Sequence, residues 1–564
     1  MLAELQSAGL LETLDVELAR ALGRLAGGVV PEVELAVALA SRNVRRGHTC
    51  FPIGISAAEV WPQEARAPDL PGAERWKRMI AESALAKAGP IVLDGSGRLY
   101  LRRYWQLEKD IAQQLAVRAA TDAPSDESAT ELEASLRRLF PGSHDSLQRR
   151  AARNAVRHSV SLLCGGPGTG KTTTVAAIVA LTIEQALGRA EGAPRVLLLA
   201  PTGKSAARLG EAVRKAKGRI DASAEVLAEI PEEAATVHRA LGMRRDGARF
   251  RRSADLPLEA DVIVLDEASM IDLGLMRQLL DAAPKDARLL IVGDPDQLTS
   301  VEAGSVLRDL VTASEETWWS DRVTLLTETY RYDEKQPLGQ LVAAIRAGDA
   351  NVVNDLLGRD DANDVAWRPF ADLGEELDGA ASHWSSVLGA KAAEQHFELR
   401  GRYVMLSPFR RGAVGTERLG ALIADRLSDE EGELPITPII IEENSQELRV
   451  FNGDFAMLIG KEPPMAAVQT EAEGFPEIAA ARLPRYSDAY ALSVHKAQGS
   501  EFDEVLVVLP EEDAPMLSRE LLYTAVSRAR HRVRLVGPKE VIASAIGRRA
   551  QRYSGLVDAI ADAR

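Results

Sequence analysis

The run GGPGTGKTTTV has the residue types and spacing that phosphate chemistry requires. Gly165, Gly166, Pro167, Gly168, Thr169 and Gly170 lead into Lys171, Thr172 and Thr173, between the apolar run VSLLC and a helix-like stretch. This is the P-loop pattern. Its glycines let backbone N–H groups close around phosphate oxygens at a helix N-terminus. Lys171 reaches the terminal phosphates, and the Thr172 hydroxyl is a ligand for Mg²⁺. ATP and Mg²⁺ are the expected cofactors.

A P-loop does not distinguish kinase, GTPase, pump or motor. The stretch VIVLDEASMID narrows the choice, because an apolar run delivers Asp266 and Glu267 at its C-terminal end, where ligands of parallel sheets bind. Asp266 is the second expected metal ligand, alongside Thr172. Glu267 is the base that orients and deprotonates an attacking water. The next apolar run ends at Gln297, a neutral amide able to sense a γ-phosphate without adding charge. Arg331 in TETYRYD and Arg528 in YTAVSRAR supply the positive charge that phosphoryl transfer needs. Both are expected from a second unit, which would put the site in a cleft between two units.

SVHKAQGSEFDEVLVVLP gathers Ser493, His495, Lys496, Gln498, Ser500 and Glu501 ahead of a strand-like run. A metal site, an acid–base pair and an ordinary polar turn all fit such a cluster in isolation. A single histidine with no second His or Cys close by lacks the spacing of a metal site.

These residues need a scaffold. VSLLCGG, RVLLLAPT, DVIVLDEAS and ARLLIVGDP each end in a small or polar loop, with amphipathic stretches between them. That is the pattern of parallel strands buried on both faces. GRYVMLSPFRRG, FAMLIG, DEVLVVLP and RHRVRLVG form a second series. The expected fold is α/β. Residues 1–120 read as a mainly helical N-terminal domain, and acidic 121–144 as a linker. Residues 145–330 make the first α/β unit, with an arginine-rich hairpin insertion at 241–260. Residues 331–564 make the second, with a small β-rich insertion at about 433–487 that carries an Asn-Gly turn signal.

The net charge of −15 argues against a protein that coats nucleic acid wholesale, though not against a local groove. No apolar run reaches membrane-spanning length, and the acidic start MLAELQSAGLLETLDVELAR is unlike a signal peptide. Two distant cysteines make no disulfide framework. A cytoplasmic bacterial location is expected.

The motifs occur in a recognisable order: LQRRA with Gln148, GGPGTGKTT, APTGKSAARL, TVHRALG, VLDEASMID, GDPDQL, TYRYD, SVHKAQGSEF and YTAVSRAR. Over roughly residues 145–540 this series resembles the superfamily 1 DNA helicases, whose two α/β units are RecA-like P-loop NTPase domains. The resemblance implies that Gln148 contacts adenine and Glu501 lies near the ribose. It implies DNA contacts from Thr202, Lys204 and His238 on the first unit, and from Ser493, His495 and Lys496 on the second. Ser493 and Ser527 stand where threonine is commoner, and Gly420 where asparagine is usual, which removes one DNA contact. The motif spellings are closest in style to the RecD group, whose members move 5′→3′ on single-stranded DNA. ELAVALASRNVRRGHTCFPI and GRLYLRRYWQLEKDIAQQL are similar to the N-terminal domain by which RecBCD-type (exodeoxyribonuclease V) subunits dock on RecC. RecB, RecC, single-stranded DNA and duplex ends are the implied partners, with nuclease activity in another subunit. A stand-alone helicase and a regulatory ATPase without unwinding of its own are the alternatives.

Overall fold

The computed structural model describes all residues except 63–67, 123–128, 142–145, 191, 243–249, 316, 333–335, 360–363, 429–435, 446, 461–462, 470–473 and 564. At the N-terminus, helices Thr13–Leu25 and Pro31–Arg45 pack side by side. Pro31 pre-sets the first turn of the second helix, acids occupy that turn and arginines the last, so both helix ends are complemented. Asp15, fully buried, joins the two helices through Arg45 and Ser41. A small antiparallel sheet follows, made of β1 (Phe51–Pro52), β2 (Ile91–Leu93) and β3 (Arg98–Leu101) in the order β1-β3-β2.

Helix Arg102–Ala119 leaves this sheet and packs on the first α/β unit. Its Arg118 donates to the carbonyls of Ala283 (2.7 Å) and Pro284 (2.8 Å), at the end of helix Leu273–Ala282. That satisfies carbonyls which a helix terminus leaves without partners.

The first α/β unit is a six-stranded parallel sheet. Its strands are β4 (Val160–Gly165), β5 (Val196–Ala200), β6 (Ala235–Thr236), β7 (Val262–Leu265), β8 (Arg288–Gly293) and β9 (Val323–Leu326), in the order β6-β5-β7-β8-β4-β9. Alternate residues of one strand enter different cores. Ile263 and Leu265 lie in one, Val262 and Val264 in the other, as the two-residue period of a strand requires. The strand order places the carboxyl ends of β7, β8 and β4 side by side, ahead of Asp266, Gln297 and the P-loop.

The second unit is a five-stranded parallel sheet of β10 (Val365–Arg368), β11 (Tyr403–Ser407), β17 (Ala491–Ser493), β18 (Phe502–Val508) and β19 (Ala529–Val536), in the order β10-β19-β18-β11-β17. Between β11 and β17 the chain inserts a separate antiparallel sheet. It contains β12 (Ile436–Ile441), β13 (Phe455–Ile459), β14 (Met465–Val468), β15 (Glu477–Ala479) and β16 (Tyr486–Asp488), in the order β15-β14-β13-β12-β16. FAMLIG, grouped with the parallel strands on hydropathy, is β13 of this insertion. A short apolar run alone does not reveal which sheet it joins.

Two boundaries differ from the expectation, and a third lies partly outside the described residues. The acidic segment 121–144 contains helix Ala129–Leu139, whose Leu132 and Leu136 enter the first unit's core together with Phe140. Four-residue spacing of large apolar side chains outweighed the acidic composition. Asp122 in the same segment is bound by Arg322 and His158. The hairpin expected at 241–260 falls partly outside the described residues; within them, Ser253 and Leu256 pair across a tight turn. Residues 549–563 leave the second unit. Helix Leu556–Asp562 packs against helices Arg102–Ala119 and Val306–Ala313. There the buried Glu108 carboxylate accepts from Thr49 (2.6 Å), Ser554 (2.9 Å) and the Gly555 amide (3.2 Å).

Candidate ATPase cleft and strand-facing residues

The P-loop joins β4 to helix Lys171–Gly188, which begins at Gly170 with φ +81°. Gly168, at φ +76°, lies so close to Arg331 that a Cβ there would sit 2.1 Å from the arginine's own Cβ. Only glycine permits both that backbone and that approach. Lys171 Nζ donates to the carbonyls of Gly165 (2.7 Å) and Gly166 (2.9 Å), which holds it in the loop it serves. The Gln148 amide lies beside Gly170, next to the ring of Tyr330.

Glu267 directly follows the Asp266 that ends the β7 turn, and it holds a left-handed backbone at φ +50°. Such a conformation is costly for a residue with a side chain and typical of a functional site. The Glu267 amide donates to Asp266 (2.9 Å). Burial, with the Glu267 charge adding to it, pushes the Asp266 carboxyl up to about 6.

Behind this pair lies Asp294, almost wholly buried, which accepts from Gln297 (2.9 Å) and from the Tyr523 hydroxyl (3.0 Å) of the second unit. Arg528 is 3% exposed, and its guanidinium is anchored by the carbonyls of Thr524 (3.1 Å) and Ser500 (3.4 Å). Glu501 projects into the cleft and pairs with Arg331, Arg208 and, at 3.4 Å, Arg530. The resulting cavity of about 350 Å³ is lined by Lys171, Thr172, Thr173, Arg208, Asp266, Glu267 and Gln297 of the first unit. Tyr330 and Arg331 of the connection, with Glu501 and Arg528 of the second unit, complete it. Phosphate-binding backbone, three carboxylates, a neutral amide and three arginines converge on one volume. That set can bind a nucleoside triphosphate and stabilise charge on its terminal phosphate.

Residues 148–303 match the family described as an AAA domain, and residues 488–536 the UvrD-like helicase C-terminal domain. Residues 7–100 match the N-terminal domain of RecBCD enzyme subunit RecD. The RecBCD enzyme subunit RecD of Mycobacterium tuberculosis H37Rv is 39% identical over 578 residues, spanning 99% of this chain and 96% of that protein. The chain belongs to the RecD family. The RecD subunit of Mycolicibacterium smegmatis is 38% identical over 563 residues, 97% of either chain. The Deinococcus radiodurans ATP-dependent RecD2 DNA helicase is 31% identical over 526 residues, 90% of this chain and 65% of that one. A solved structure of Bacteroides Pif1 bound to single-stranded DNA aligns with 70% of this chain and 93% of its own, at 16% identity and a TM-score of 0.39. This RecD is an ATP-dependent helicase of the RecBCD type.

The residues expected to touch DNA have varied placements in this RecD. Thr202 caps helix Gly203–Lys217, accepting from the Ser205 amide (3.2 Å). Lys204 does not face open solvent. Its ammonium contacts the Ser500 hydroxyl in the seam between the two RecA-like units, where burial holds it well below the usual lysine range. His238 is half-buried against Phe250. His495 is half-buried, and burial lowers its pKa. Ser493 and Lys496 line a second cavity of about 330 Å³ beside the antiparallel insertion. Gly499, at φ +70°, packs its α-carbon against Ser205 of the first unit, where a Cβ would meet the hydroxyl at 2.5 Å. The SVHKAQGSEF segment therefore spans both regions, with Ser493 and Lys496 at the second cavity and Glu501 in the ATPase cleft.

Four site residues escaped the sequence reading. Arg208 lies one helical turn after Lys204, and that spacing was the available signal. Asp294 is the first acid of GDPDQ, Tyr330 the residue before Arg331, and Tyr523 the aromatic of LLYTAV. Glu501, expected near a ribose, lines the cleft and pairs there with Arg331 and Arg208.

Proposed function

We propose that this RecD chain couples Mg²⁺-dependent ATP hydrolysis in the cleft to 5′→3′ movement on single-stranded DNA. It works beside RecB and RecC at duplex ends in double-strand break repair, within the bacterial cytoplasm. One observation carries the reading: the cleft is lined from both RecA-like units, so binding and loss of a triphosphate changes what holds the units together. No helix among the described residues is long and apolar enough to cross a membrane.

The oxygen donors at the cleft suit Mg²⁺. Thr172 and Asp266 line one cavity, Asp266 is a half-buried carboxylate, and such an ion takes one or two protein oxygens and completes its shell with phosphates and water. When bound, the ion supplies charge neutralisation on the phosphates. Lys171 turns from the Gly165 and Gly166 carbonyls to the terminal phosphates. Glu267 orients the attacking water and takes its proton. Gln297 reports the γ-phosphate, and Arg331 and Arg528 stabilise the charge that develops there. Gln148 takes the adenine edge beside Gly170. The nuclease of the complex is assigned to a partner subunit, because the carboxylates gathered in this cleft are those of an ATPase.

The test is unwinding by the purified chain of duplexes tailed on the 5′ or the 3′ side, with Lys171→Gln as control. The 5′-tailed duplex alone should open. Opening of the 3′-tailed duplex would overturn the polarity. DNA-stimulated ATPase without unwinding would favour an obligate subunit, and the measurement would be repeated with RecB and RecC added.

A further inference from the structure

The antiparallel insertion contributes one residue to the second cavity's surroundings that no motif contains. Glu442 follows β12 and is 10% exposed at its side chain. Its carboxylate accepts from Lys496 Nζ (2.7 Å) and the Ser487 hydroxyl (2.9 Å), and pairs with Arg485 (3.1 Å) and Arg410 (3.6 Å). Three cations converge on one carboxylate from different elements: the loop after β11, the approach to β16 and the segment after β17. Arg410 is shared with Glu417 (2.8 Å). The cations are open on the outer side. Arg485 is 67%, Arg410 49% and Lys496 32% exposed, and Arg410 and Lys496 line the cavity of about 330 Å³ in front of them.

This geometry is that of an anion site already holding an anion. Two guanidiniums, an ammonium and a hydroxyl around one oxyanion is also how proteins hold backbone phosphates. Lys496 is among the strand contacts already expected; we propose that Glu442 is the anion this cluster holds while the strand is absent, in the place that a backbone phosphate of single-stranded DNA takes. A phosphate loads by drawing Lys496 and the arginines away from the carboxylate into the open cavity. The inference rests on the DNA-helicase reading and deepens it. It makes the insertion part of the strand path, and it makes Glu442 a competitor of DNA.

Binding of an oligo(dT) strand, measured without nucleotide across a range of salt, tests this. Glu442→Gln keeps the shape and removes the charge. It should tighten binding by about fivefold at an unchanged salt dependence, since the same phosphate is bound with its competitor removed. Arg485→Gln, at an exposed side chain, should weaken binding by about fivefold and flatten the slope by about 0.7, the value of one single-strand phosphate contact. It stands in if Glu442→Gln does not fold. Unchanged or weaker binding by a folded Glu442→Gln would overturn the role of Glu442 and leave the helicase reading intact. Failure of the unaltered chain to bind the strand at any salt would overturn the helicase reading instead.

Discussion

Gln498 donates from Nε2 to the carbonyl oxygen of Leu298 across 3.0 Å. Leu298 directly follows Gln297 of the ATPase cleft, and its own amide donates to the Thr524 hydroxyl (2.8 Å), one turn before Arg528. The strand-facing loop of the second unit is thus tied to the γ-phosphate side of the first by one amide. Gln498→Ala should leave ATP affinity unchanged while lowering DNA-stimulated turnover by about tenfold, since the loss falls on a step after binding. Steady-state ATPase against ATP and against DNA concentration separates the two. A matching rise in KM for ATP would show that the bond merely shapes the nucleotide pocket.

Arg528 is held by carbonyls and aimed into the cleft. Arg528→Ala should reduce kcat on the order of 10³-fold and ATP affinity by less than about tenfold, because its charge acts mainly in the transition state. Lys171→Gln should abolish turnover with an unchanged circular dichroism spectrum. Equal losses of affinity and rate in Arg528→Ala would mean that the arginine binds ground-state ATP.

Much of this cleft was legible in the sequence because its parts are local. A P-loop, an Asp-Glu pair ending a strand and Gln297 each sit in a few consecutive residues, on strands whose hydropathy is unambiguous. What was not legible depends on distant neighbours. Tyr523 reaches Asp294 across 229 positions, and Glu442 meets Lys496 across 54. The helix Ala129–Leu139 was hidden because an acidic composition was weighed above the spacing of Leu132 and Leu136. The course of residues 549–563 was hidden because no local pattern says which domain helix Leu556–Asp562 joins.

Asp309, buried in helix Val306–Ala313, is pushed up to about 7 chiefly by burial, with the charge of Glu108 adding to it. It is protonated in the folded chain at a pH where the unfolded chain has released that proton. The stability it confers is therefore fully present below its ordinary value of 3.8 and is lost as pH rises through about 7. The loss amounts to about 4 kcal/mol at most. Burial raises Glu108 too, in the same direction. Melting temperature should fall between pH 5 and pH 8, and Asp309→Asn should flatten that fall. An equally steep fall in the variant would place the titration elsewhere.

Cys50 and Cys164 are buried free thiols, each pushed up to about 12 by burial. Thiolate is the reactive form, so both should resist iodoacetamide at pH 8 in the folded chain and react once it is denatured. Mass spectrometry of the alkylated chain reads this directly. Modification of either in the native state would mean that its surroundings open to water.

The placement of Glu108 has a consequence for how the molecule is made. Helix Arg102–Ala119 has left the ribosome long before its carboxylate meets Ser554, 446 residues downstream, and Gly555, 447 downstream. At about 5–20 residues per second, that interval is about 20–90 s. Throughout it the nascent chain carries a carboxylate short of its partners, beside an apolar surface that helix Leu556–Asp562 has yet to cover. The joint between the N-terminal domain and the motor is closed by residues translated 446 and 447 positions later, and a chain that stops before Ser554 never closes it.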